Sequence, residues 1–297
     1  MSKIKCFYHG TDLDGQCSAA IVKYKYPEAE LYPISHGDVF SLENIAADDT
    51  VFMVDYCLQP FAEMLALREK IGDKLIWIDH HQSSILEAEK QIPACAGMTA
   101  EEAVFKGVRE NGRAACELTW EYLFPGKTVP QAVYFLGRYD VFDHRDPDTI
   151  DFEYGFRINE TAPENQELWQ YWLENPSAED MAEVLKNGRV ILQAKDQDAA
   201  ELCRAAAFEA RVGDYRAIVL NKLFTSSRVF KSVPGLEKYD LMVCFGLSKN
   251  GLWKVSFYAN KPEVDCAALA KSFGGGGHRG AAGASFGSFA ELPFVAK

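Results

Sequence analysis

The segment "KIKCFYHGTDLDGQCSAA" (residues 3–20) joins an apolar strand pattern to an acidic turn and a helix-like run. The strand pattern ends at residue 9, and the turn carries one histidine and two carboxylates: His9, Asp12 and Asp14. Like charges this close repel one another unless a cation or protons neutralise them. The segment therefore predicts a strand, a charged turn that could hold a cation, and a helix.

Three further segments of the first half repeat the pattern of a short apolar run that ends in polar residues. They are "AELYPIS" (29–35), "TVFMVDY" (50–56) and "KLIWIDHH" (74–81), and amphipathic stretches such as "PFAEMLALREKIG" (60–72) separate some of them. Strands that alternate with helices form parallel sheets, which bind ligands at the carboxyl ends of the strands. We expect an α/β fold whose main domain is a parallel-sheet α/β/α structure.

The second half of the chain changes character. Residues 178–207 are rich in helix formers and predict a linking helix. Beyond them, "DLMVCFGLS" (240–248) and "LWKVSFYAN" (252–260) predict two strands of a hairpin with an Asn-Gly turn. We expect a first domain over 1–177, a linker helix over 178–207, and a second, smaller α/β domain over 208–297.

Charge is divided unevenly between these parts. The net charge is −12, yet residues 1–207 carry −17 and residues 208–297 carry +5. An acidic chain does not hold long nucleic acid by charge alone, because neutralising phosphates requires clustered lysines and arginines. We therefore expect no long duplex nucleic acid as a partner, and two modules with different tasks.

Composition indicates a cytoplasmic globular protein. Apolar residues make up 48% and charged residues 25%, with no signal-peptide pattern and no apolar run long enough to span a membrane. The eight cysteines form no CxxC pair, which predicts reduced core thiols and no zinc-cysteine site. The oligomeric state stays open, with a homodimer as one option.

Acidic residues and histidines recur at the ends of the other apolar runs. Asp55 follows "VFMV", Asp79, His80 and His81 follow "LIWI", and Asp140 ends a further apolar segment within "YFLGRYDVFDH" (134–144). An Asp-x-Asp-Gly turn or a His-His pair alone is more often structural. Four such clusters at successive strand ends favour a metal site, and imidazole beside carboxylate favours manganese, iron or zinc.

The motifs "HGTDLDG", "VDY", "DHH" and "YDVF", followed by "GGGGHRGAAG" near the C-terminus, resemble the DHH phosphoesterase superfamily with its DHH-associated C-terminal domain. That superfamily includes RecJ-type exonucleases, nanoRNases, phosphatases of 3'-phosphoadenosine 5'-phosphate and cyclic-dinucleotide phosphodiesterases. The resemblance covers nearly the whole chain and keeps the motif order. It implies that residues 1–177 are the catalytic domain and residues 208–297 the substrate-binding domain.

The resemblance also implies two divalent metal ions, manganese by preference, as cofactors. One ion would be bound by His9, Asp12 and Asp55, and the other by Asp14, Asp55, His80 and Asp140, so that Asp55 bridges them. Asp79 would orient a ligand, and His81 would face the substrate phosphate. Catalytic roles are thus expected for Asp79 and His81.

The glycine run near the C-terminus has two interpretations. Four glycines form a flexible loop by default, but bare backbone also lets N–H groups approach an anion. The resemblance favours substrate binding by Gly275, Gly276, Gly277, His278 and Arg279. Arg113 stands where related sequences carry a small residue, and it is either an added phosphate contact or part of a surface salt bridge. We interpret four more residues as structural or core residues: His36, His144, Phe224 and Tyr258.

The expected function is hydrolysis of short oligonucleotides to nucleoside 5'-monophosphates. A phosphatase of 3'-phosphoadenosine 5'-phosphate and a cyclic-dinucleotide phosphodiesterase fit the same residues. A catalytically silent nucleotide-binding protein is a further alternative from a different class. The C-terminal glycine-histidine segment argues against the DHH pyrophosphatases, whose second domain lacks it.

Overall fold

The computed structural model describes residues 2–35, 37–91, 105–174, 176–223 and 225–296. The chain divides into two compact units, Met1–Ile191 and Leu192–Lys297. The division falls inside the longest helix of the described ranges, α8 (Ala178–Ala206), which matches the helix predicted over 178–207.

The first unit contains a parallel four-stranded sheet in the order β2-β1-β3-β4. Its strands are β1 (Ile4–His9), β2 (Glu30–Ile34), β3 (Thr50–Val54) and β4 (Leu75–Ile78). Seven helices of this unit are α1 (Leu13–Lys25), α2 (Ala62–Ile71), α3 (Gln82–Gln91), α4 (Ala115–Leu123), α5 (Gln131–Asp140), α6 (Asp148–Phe156) and α7 (Gln166–Glu174). The four strands coincide with the four predicted apolar runs.

Both faces of this sheet are covered. Alternate strand residues point to opposite faces, so Cys6 and Phe52 belong to one core cluster, while Met53 and Trp77 belong to the other. The first cluster includes side chains of α1 and α4 to α7, and the second includes side chains of α2. The unit is therefore a three-layer α/β/α structure, as predicted.

The turn from β1 into α1 requires a glycine. A Cβ on Gly15 would lie 2.0 Å from the carbonyl oxygen of His9, so only glycine lets the first turn of α1 approach the end of β1 this closely.

The strand order reverses direction between β1 and β3, which is where open α/β sheets form a ligand crevice at the carboxyl ends of their strands.

One predicted element is wrong. Asp140 is the last residue of helix α5 and does not follow a strand. The apolar residues that suggested a strand recur at helical spacing, and the buried side chains Ala132, Val133, Phe135 and Leu136 lie on one face of α5.

The second unit contains a mixed seven-stranded sheet in the order β11-β5-β6-β7-β8-β10-β9. Its elements are β5 (Phe208–Val212), β6 (Tyr215–Asn221), β7 (Leu241–Leu247), β8 (Trp253–Ala259), α9 (Cys266–Ser272), β9 (Gly276–Gly277), β10 (Ala281–Phe286) and β11 (Val295–Ala296). Strands β7 and β8 form the antiparallel hairpin that the Asn-Gly turn predicted. The second unit is a smaller α/β structure with its own core.

Seven cysteines are buried free thiols, and Cys95 lies outside the described residues. Within the described ranges, every helix is too short or too polar to cross a lipid bilayer.

Candidate metal centre

Three strands of the first unit end beside one another in a single group of charged side chains. His9 is the last residue of β1, Asp55 follows β3, and Asp79 and His80 follow β4. Because β1, β3 and β4 are adjacent and parallel, their carboxyl ends share one edge of the sheet. The sheet topology thus collects side chains that are separated by up to about 70 residues in the sequence.

Asp12 closes the N-terminus of α1 and also faces the group. Its Oδ1 accepts a hydrogen bond from the backbone N–H of Gly15 at 3.0 Å, which is a standard N-cap. Its Oδ2 lies 2.7 Å from His9 Nδ1. Asp12 therefore caps helix α1 with Oδ1 and contacts the His9 ring with Oδ2.

Asp14 is buried and is held by the N-terminus of α4. Its Oδ2 accepts from the backbone N–H of Ala115 at 2.9 Å, and its Oδ1 accepts from that of Cys116 at 2.7 Å. The positive end of the helix dipole and two N–H donors stabilise a carboxylate at this position. Asp14 Oδ2 also lies 3.6 Å from His80 Nε2, so α4 aims this carboxylate at the histidine.

Asp55 lies at the centre of the group. Its Oδ1 is 3.3 Å from His80 Nε2 and 3.7 Å from His81 Nδ1, and its Oδ2 is 3.6 Å from His9 Nδ1. Its backbone is left-handed, with φ of 54°, while its N–H donates to the carbonyl of Ile78 at 2.9 Å. Backbone strain of this kind costs about 1–3 kcal/mol and is concentrated at functional sites.

The helix-terminal Asp140 completes the group. Its Oδ2 lies 3.2 Å from His80 Nε2, although 60 residues separate the two in sequence. Ligand-type atoms converge within 4.8 Å of one another in three overlapping sets, which are His9, Asp12 and Asp55; Asp14, His80 and Asp140; and Asp55, His80 and His81. The structure therefore brings together all six residues that the sequence suggested as metal ligands.

Asp79 organises the two histidines that follow it. Its Oδ1 accepts from the backbone N–H groups of His80 and His81 at 2.8 and 3.1 Å, and it lies 2.7 Å from His81 Nδ1. This contact fixes the plane of the His81 ring. Asp79 acts on the site through its neighbours.

The three histidines carry raised pKa values. Burial lowers the pKa of His9, but hydrogen bonds to Asp12 and Asp55 outweigh burial and raise the pKa to about 10. For His80, the Asp55 hydrogen bond and the charges of Asp14 and Asp140 outweigh burial and raise the pKa to about 10. For His81, burial again lowers the pKa, but the hydrogen bond to Asp79 and the charge of Asp79 outweigh burial and raise the pKa to about 9.

Burial and mutual repulsion act on the carboxyl groups. Burial, together with the charge of Asp55, raises the pKa of Asp14 to about 7, and burial with the charge of Asp14 raises the pKa of Asp140 to about 7. Burial also raises the pKa of Asp55. Burial raises the pKa of Asp12 as well, but the His9 hydrogen bond outweighs it and lowers the pKa. The site thus holds more negative charge than its own surroundings neutralise.

The donor set fits divalent metal ions. Carboxylate oxygens and imidazole nitrogens are the ligands of manganese, iron and zinc. Asp55 Oδ1 is buried and lies 3.3 Å from His80 Nε2 and 3.7 Å from His81 Nδ1, so the atoms around it are ligand-type atoms themselves. Cations would also relieve the repulsion that raises the carboxyl pKa values.

The glycine run of the second unit forms an edge strand. Gly276 and Gly277 pair with Gly283 and Ala282 of β10. Gly277 has φ of +139°, and a Cβ there would lie 2.6 Å from Ala282 Cα, so glycine is required. Gly275 is equally close to β10, because its Cβ would lie 2.1 Å from the carbonyl oxygen of Gly283.

His278 and Arg279 follow this strand and are exposed. The backbone of His278 exchanges hydrogen bonds with Ala281 at 2.7 and 3.2 Å, and Arg279 Nη2 donates to the carbonyl of Pro262 at 3.3 Å. A shallow pocket of about 310 Å³ beside the glycine run is lined by Lys254, Ser256 and Ser285 together with glycine backbone. The backbone hydrogen bonds hold this turn in a defined conformation.

Arg113 forms ion pairs at the surface, which agrees with the second of the two roles considered for it. It contacts Glu121, and its Nη1 lies 3.6 Å from Glu110 Oε2. His144 is exposed and packs 5.6 Å from the Tyr139 ring, while the Tyr258 hydroxyl donates to the carbonyl of Thr225 at 2.6 Å. His36 and Phe224 lie outside the described residues.

Sequence reasoning missed three features that support the site. Thr11 Oγ1 lies 2.8 Å from His9 Nε2, and α4 supplies the two N–H donors to Asp14. Arg109 donates to the carbonyls of Phe105 and Trp77 at 2.9 Å and to that of Lys106 at 3.2 Å, holding residues 105–110 beside β4. The Thr11 hydroxyl inside the first motif was a signal in the sequence, whereas backbone donors leave none.

No protein-family model matches the chain. An uncharacterized protein of Acanthamoeba polyphaga mimivirus is 24% identical over 308 residues, which cover 94% of this chain and 66% of that protein. The chain thus spans slightly less than two thirds of the length of that relative.

Two solved structures resemble the chain over nearly its whole length. The DHH domain of a protein described as a member of a ribosomal-protein family matches with a TM-score of 0.59 and 12% identity, covering 96% of this chain and 83% of that one. A pGpG-specific phosphodiesterase of Vibrio cholerae matches with a TM-score of 0.48 and 11% identity, covering 96% and 93%. The first likeness shows a shared fold, so the chain has the DHH-domain fold that its motifs indicated.

Proposed function

We propose that this protein is a metal-dependent phosphoesterase of the DHH superfamily that hydrolyses short oligonucleotides to nucleoside 5'-monophosphates. The observation that carries the proposal is the position of Asp55, whose two carboxylate oxygens face different histidines, His9 and His80. A carboxylate with this placement suits a bridge between two cations. The superfamily resemblance and the DHH-domain fold support the same reaction class.

Two manganese ions are the proposed cofactors. His9, Asp12 and Asp55 would hold one ion, and Asp14, Asp55, His80 and Asp140 the other. The first group is one of the sets that converge within 4.8 Å, and Asp14, His80 and Asp140 form another, while Asp55 converges with His80 in the third. When bound, such ions neutralise phosphate charge and lower the pKa of water, which supplies a nucleophile at neutral pH.

The chain's own residues would position the substrate. Asp79 holds the His81 ring through Nδ1, so His81 Nε2 is the atom that can donate a hydrogen bond to a phosphate oxygen. In the second unit, we propose that Gly275, Gly276, Gly277, His278 and Arg279 bind the remainder of the substrate. Arg279 adds a positive charge to glycine backbone that admits an anion.

Short substrates follow from the distribution of charge. A long strand over the acidic residues 1–207 would meet repulsion with few cationic side chains to follow its backbone. A few nucleotides carry few phosphates and need few cationic contacts. Charge therefore favours oligonucleotides over long single strands.

A substrate panel tests the proposal. Purified protein with manganese is incubated with labelled dinucleotides, longer oligomers, 3'-phosphoadenosine 5'-phosphate and cyclic dinucleotides, and initial rates are compared. We expect the highest kcat/KM on the short linear oligonucleotides, and no turnover after chelation. If the protein binds these compounds but hydrolyses none of them, the proposal is overturned and a nucleotide-binding protein remains.

A further inference from the structure

Phe142 adopts a backbone conformation that phenylalanine normally avoids. Its φ is 58°, in the left-handed region. Among the described residues that are not glycine, Asp55 and Phe142 are the two with positive φ. A bulky side chain in this region is an outlier, and such strain is concentrated at functional sites. The role of Asp55 in the metal centre accounts for the first case, so the second also needs a cause.

Phe142 occupies the position that glycine usually takes at a helix end. Helix α5 ends at Asp140, after which the N–H of Phe142 donates to the carbonyl of Tyr139 at 3.1 Å, and the N–H of Asp143 donates to the carbonyl of Arg138 at 2.9 Å. These two bonds form a Schellman motif, in which Phe142 is the left-handed residue. Glycine would close the same helix without steric cost.

The Phe142 ring is not retained for packing. It is 71% exposed, and among the described residues its ring contacts that of His144, with 6.1 Å between centroids. Ion pairs of Asp143 with Arg138 and Arg145 stabilise the turn that carries the ring. A rigid turn therefore presents an aromatic ring to solvent.

The ring is close to the metal centre along the chain. Two peptide units separate Phe142 from Asp140, so their Cα atoms are at most about 7.6 Å apart. A nucleobase is separated from the phosphate of its own nucleotide by one sugar. Phe142 is therefore an exposed aromatic residue near Asp140 in the chain, and a base whose phosphate is bound at the candidate metal centre could contact it.

We propose that Phe142 is a stacking platform for a nucleobase of the substrate. The proposal rests on the proposed phosphoesterase function and adds that the substrate class is a diester that carries bases. Stacking suits this acidic unit, because it gains affinity without cationic side chains and tolerates any base. The strained phenylalanine is then kept in place of glycine for binding.

The test compares two dinucleotides that differ only in their bases. One is a normal dinucleotide and the other is the matching abasic compound, with the same phosphodiester. Wild type, Phe142→Gly and Phe142→Trp are measured on both. The control variant is Ile158→Ala, which removes another exposed apolar side chain of the first unit, 59% exposed. Melting temperature is recorded for every variant.

We expect Phe142→Gly to raise KM for the normal dinucleotide about five- to a hundredfold, with no change on the abasic compound. The melting temperature of this variant should rise by a few degrees, because the strain is removed. Phe142→Trp should keep the wild-type KM, and so should Ile158→Ala. These results together would support a base-stacking role.

Three outcomes would overturn the inference, and they are distinguishable. If wild type hydrolyses the normal dinucleotide and Phe142→Gly has the same KM, the ring does not bind the base, while the proposed function stands. If wild type hydrolyses neither compound with manganese present, the proposed function fails and the inference fails with it. A fall in the melting temperature of Phe142→Gly would mean that the ring packs on the protein.

Discussion

Asp14 and Cys116 are joined by a 2.7 Å hydrogen bond from the backbone N–H of Cys116 to Oδ1 of Asp14, across 102 residues of sequence. This bond ties the first motif to the N-terminus of α4. The motif could not hold its carboxylate in a buried position without such donors, because an isolated buried carboxylate is costly. The candidate metal centre therefore depends on helices outside the sheet as well as on strand ends.

Arg109 should stabilise the end of β4 and, through it, the His80 and His81 segment. Its guanidinium donates to three carbonyls and lies 5.3 Å from the Trp77 ring. Arg109→Ala should lower the free energy of unfolding by about 2 kcal/mol and reduce manganese content. Chemical denaturation and metal analysis measure both. The control Arg113→Ala removes a surface pair and should cost at most about 1 kcal/mol. Equal effects from the two variants would contradict this role.

Glu153 should make stability fall as pH rises. It is 1% exposed, and burial raises its pKa to about 7, although Arg157 opposes this shift. A folded pKa above the unfolded value near 4.5 means that the folded state binds more protons between these pH values. Stability is therefore fully present below pH 4.5 and is lost up to about pH 7.

The variant Glu153→Gln isolates this contribution. Wild type should lose on the order of 2–3 kcal/mol of its free energy of unfolding between pH 5 and pH 8 through Glu153, and Glu153→Gln should lack this loss. The free energy of unfolding of the variant minus that of wild type should therefore rise by this amount between the two pH values. Urea denaturation at the two pH values gives the difference. The control is Glu167→Gln on the exposed side of α7. A difference between Glu153→Gln and wild type that does not change with pH would contradict the assignment.

His278→Ala should weaken catalysis without removing metal. His278 lies in the second unit, outside the three sets of ligand-type atoms. We expect kcat/KM to fall about ten- to a hundredfold while manganese content stays at the wild-type level. Lys271→Ala, which removes an exposed side chain of α9, is the control and should leave kcat/KM unchanged. Loss of manganese from His278→Ala would refute this division of roles.

Substrate length should limit the rate. Because residues 1–207 carry −17, kcat/KM should fall once the oligonucleotide exceeds about five nucleotides. The slope of log affinity against log salt should correspond to about one to three phosphates. Initial rates on oligomers of about 2, 5, 12 and 24 nucleotides at two salt concentrations measure both quantities. Faster hydrolysis of the longest oligomer with a steep salt dependence would indicate a basic track and a processive exonuclease.

The strand-end residues could be predicted from sequence, and the helix-borne ones only in part. His9, Asp55 and His80 follow apolar runs whose parallel pairing puts their ends together. Asp140 was recognised by its motif but was assigned to the end of a strand. The reason is that a short apolar run is compatible both with a strand and with a segment of a buried helix. The donors to Asp14 are backbone groups of α4, which residue types do not encode. The left-handed backbone of Phe142 also needed coordinates, since the sequence there shows no glycine.

The most direct test of the central claim is the manganese content of Asp55→Asn beside that of Asp12→Asn. Asp55 faces both His9 and His80, whereas Asp12 belongs only to the convergent set of His9, Asp12 and Asp55 among the described residues. After saturation and desalting, metal analysis should give about two ions per chain in wild type, about one in Asp12→Asn and close to none in Asp55→Asn. Turnover should fall in the same order. If Asp55→Asn kept two ions and near-normal turnover, Asp55 would not be a bridge and the two-metal account would be wrong.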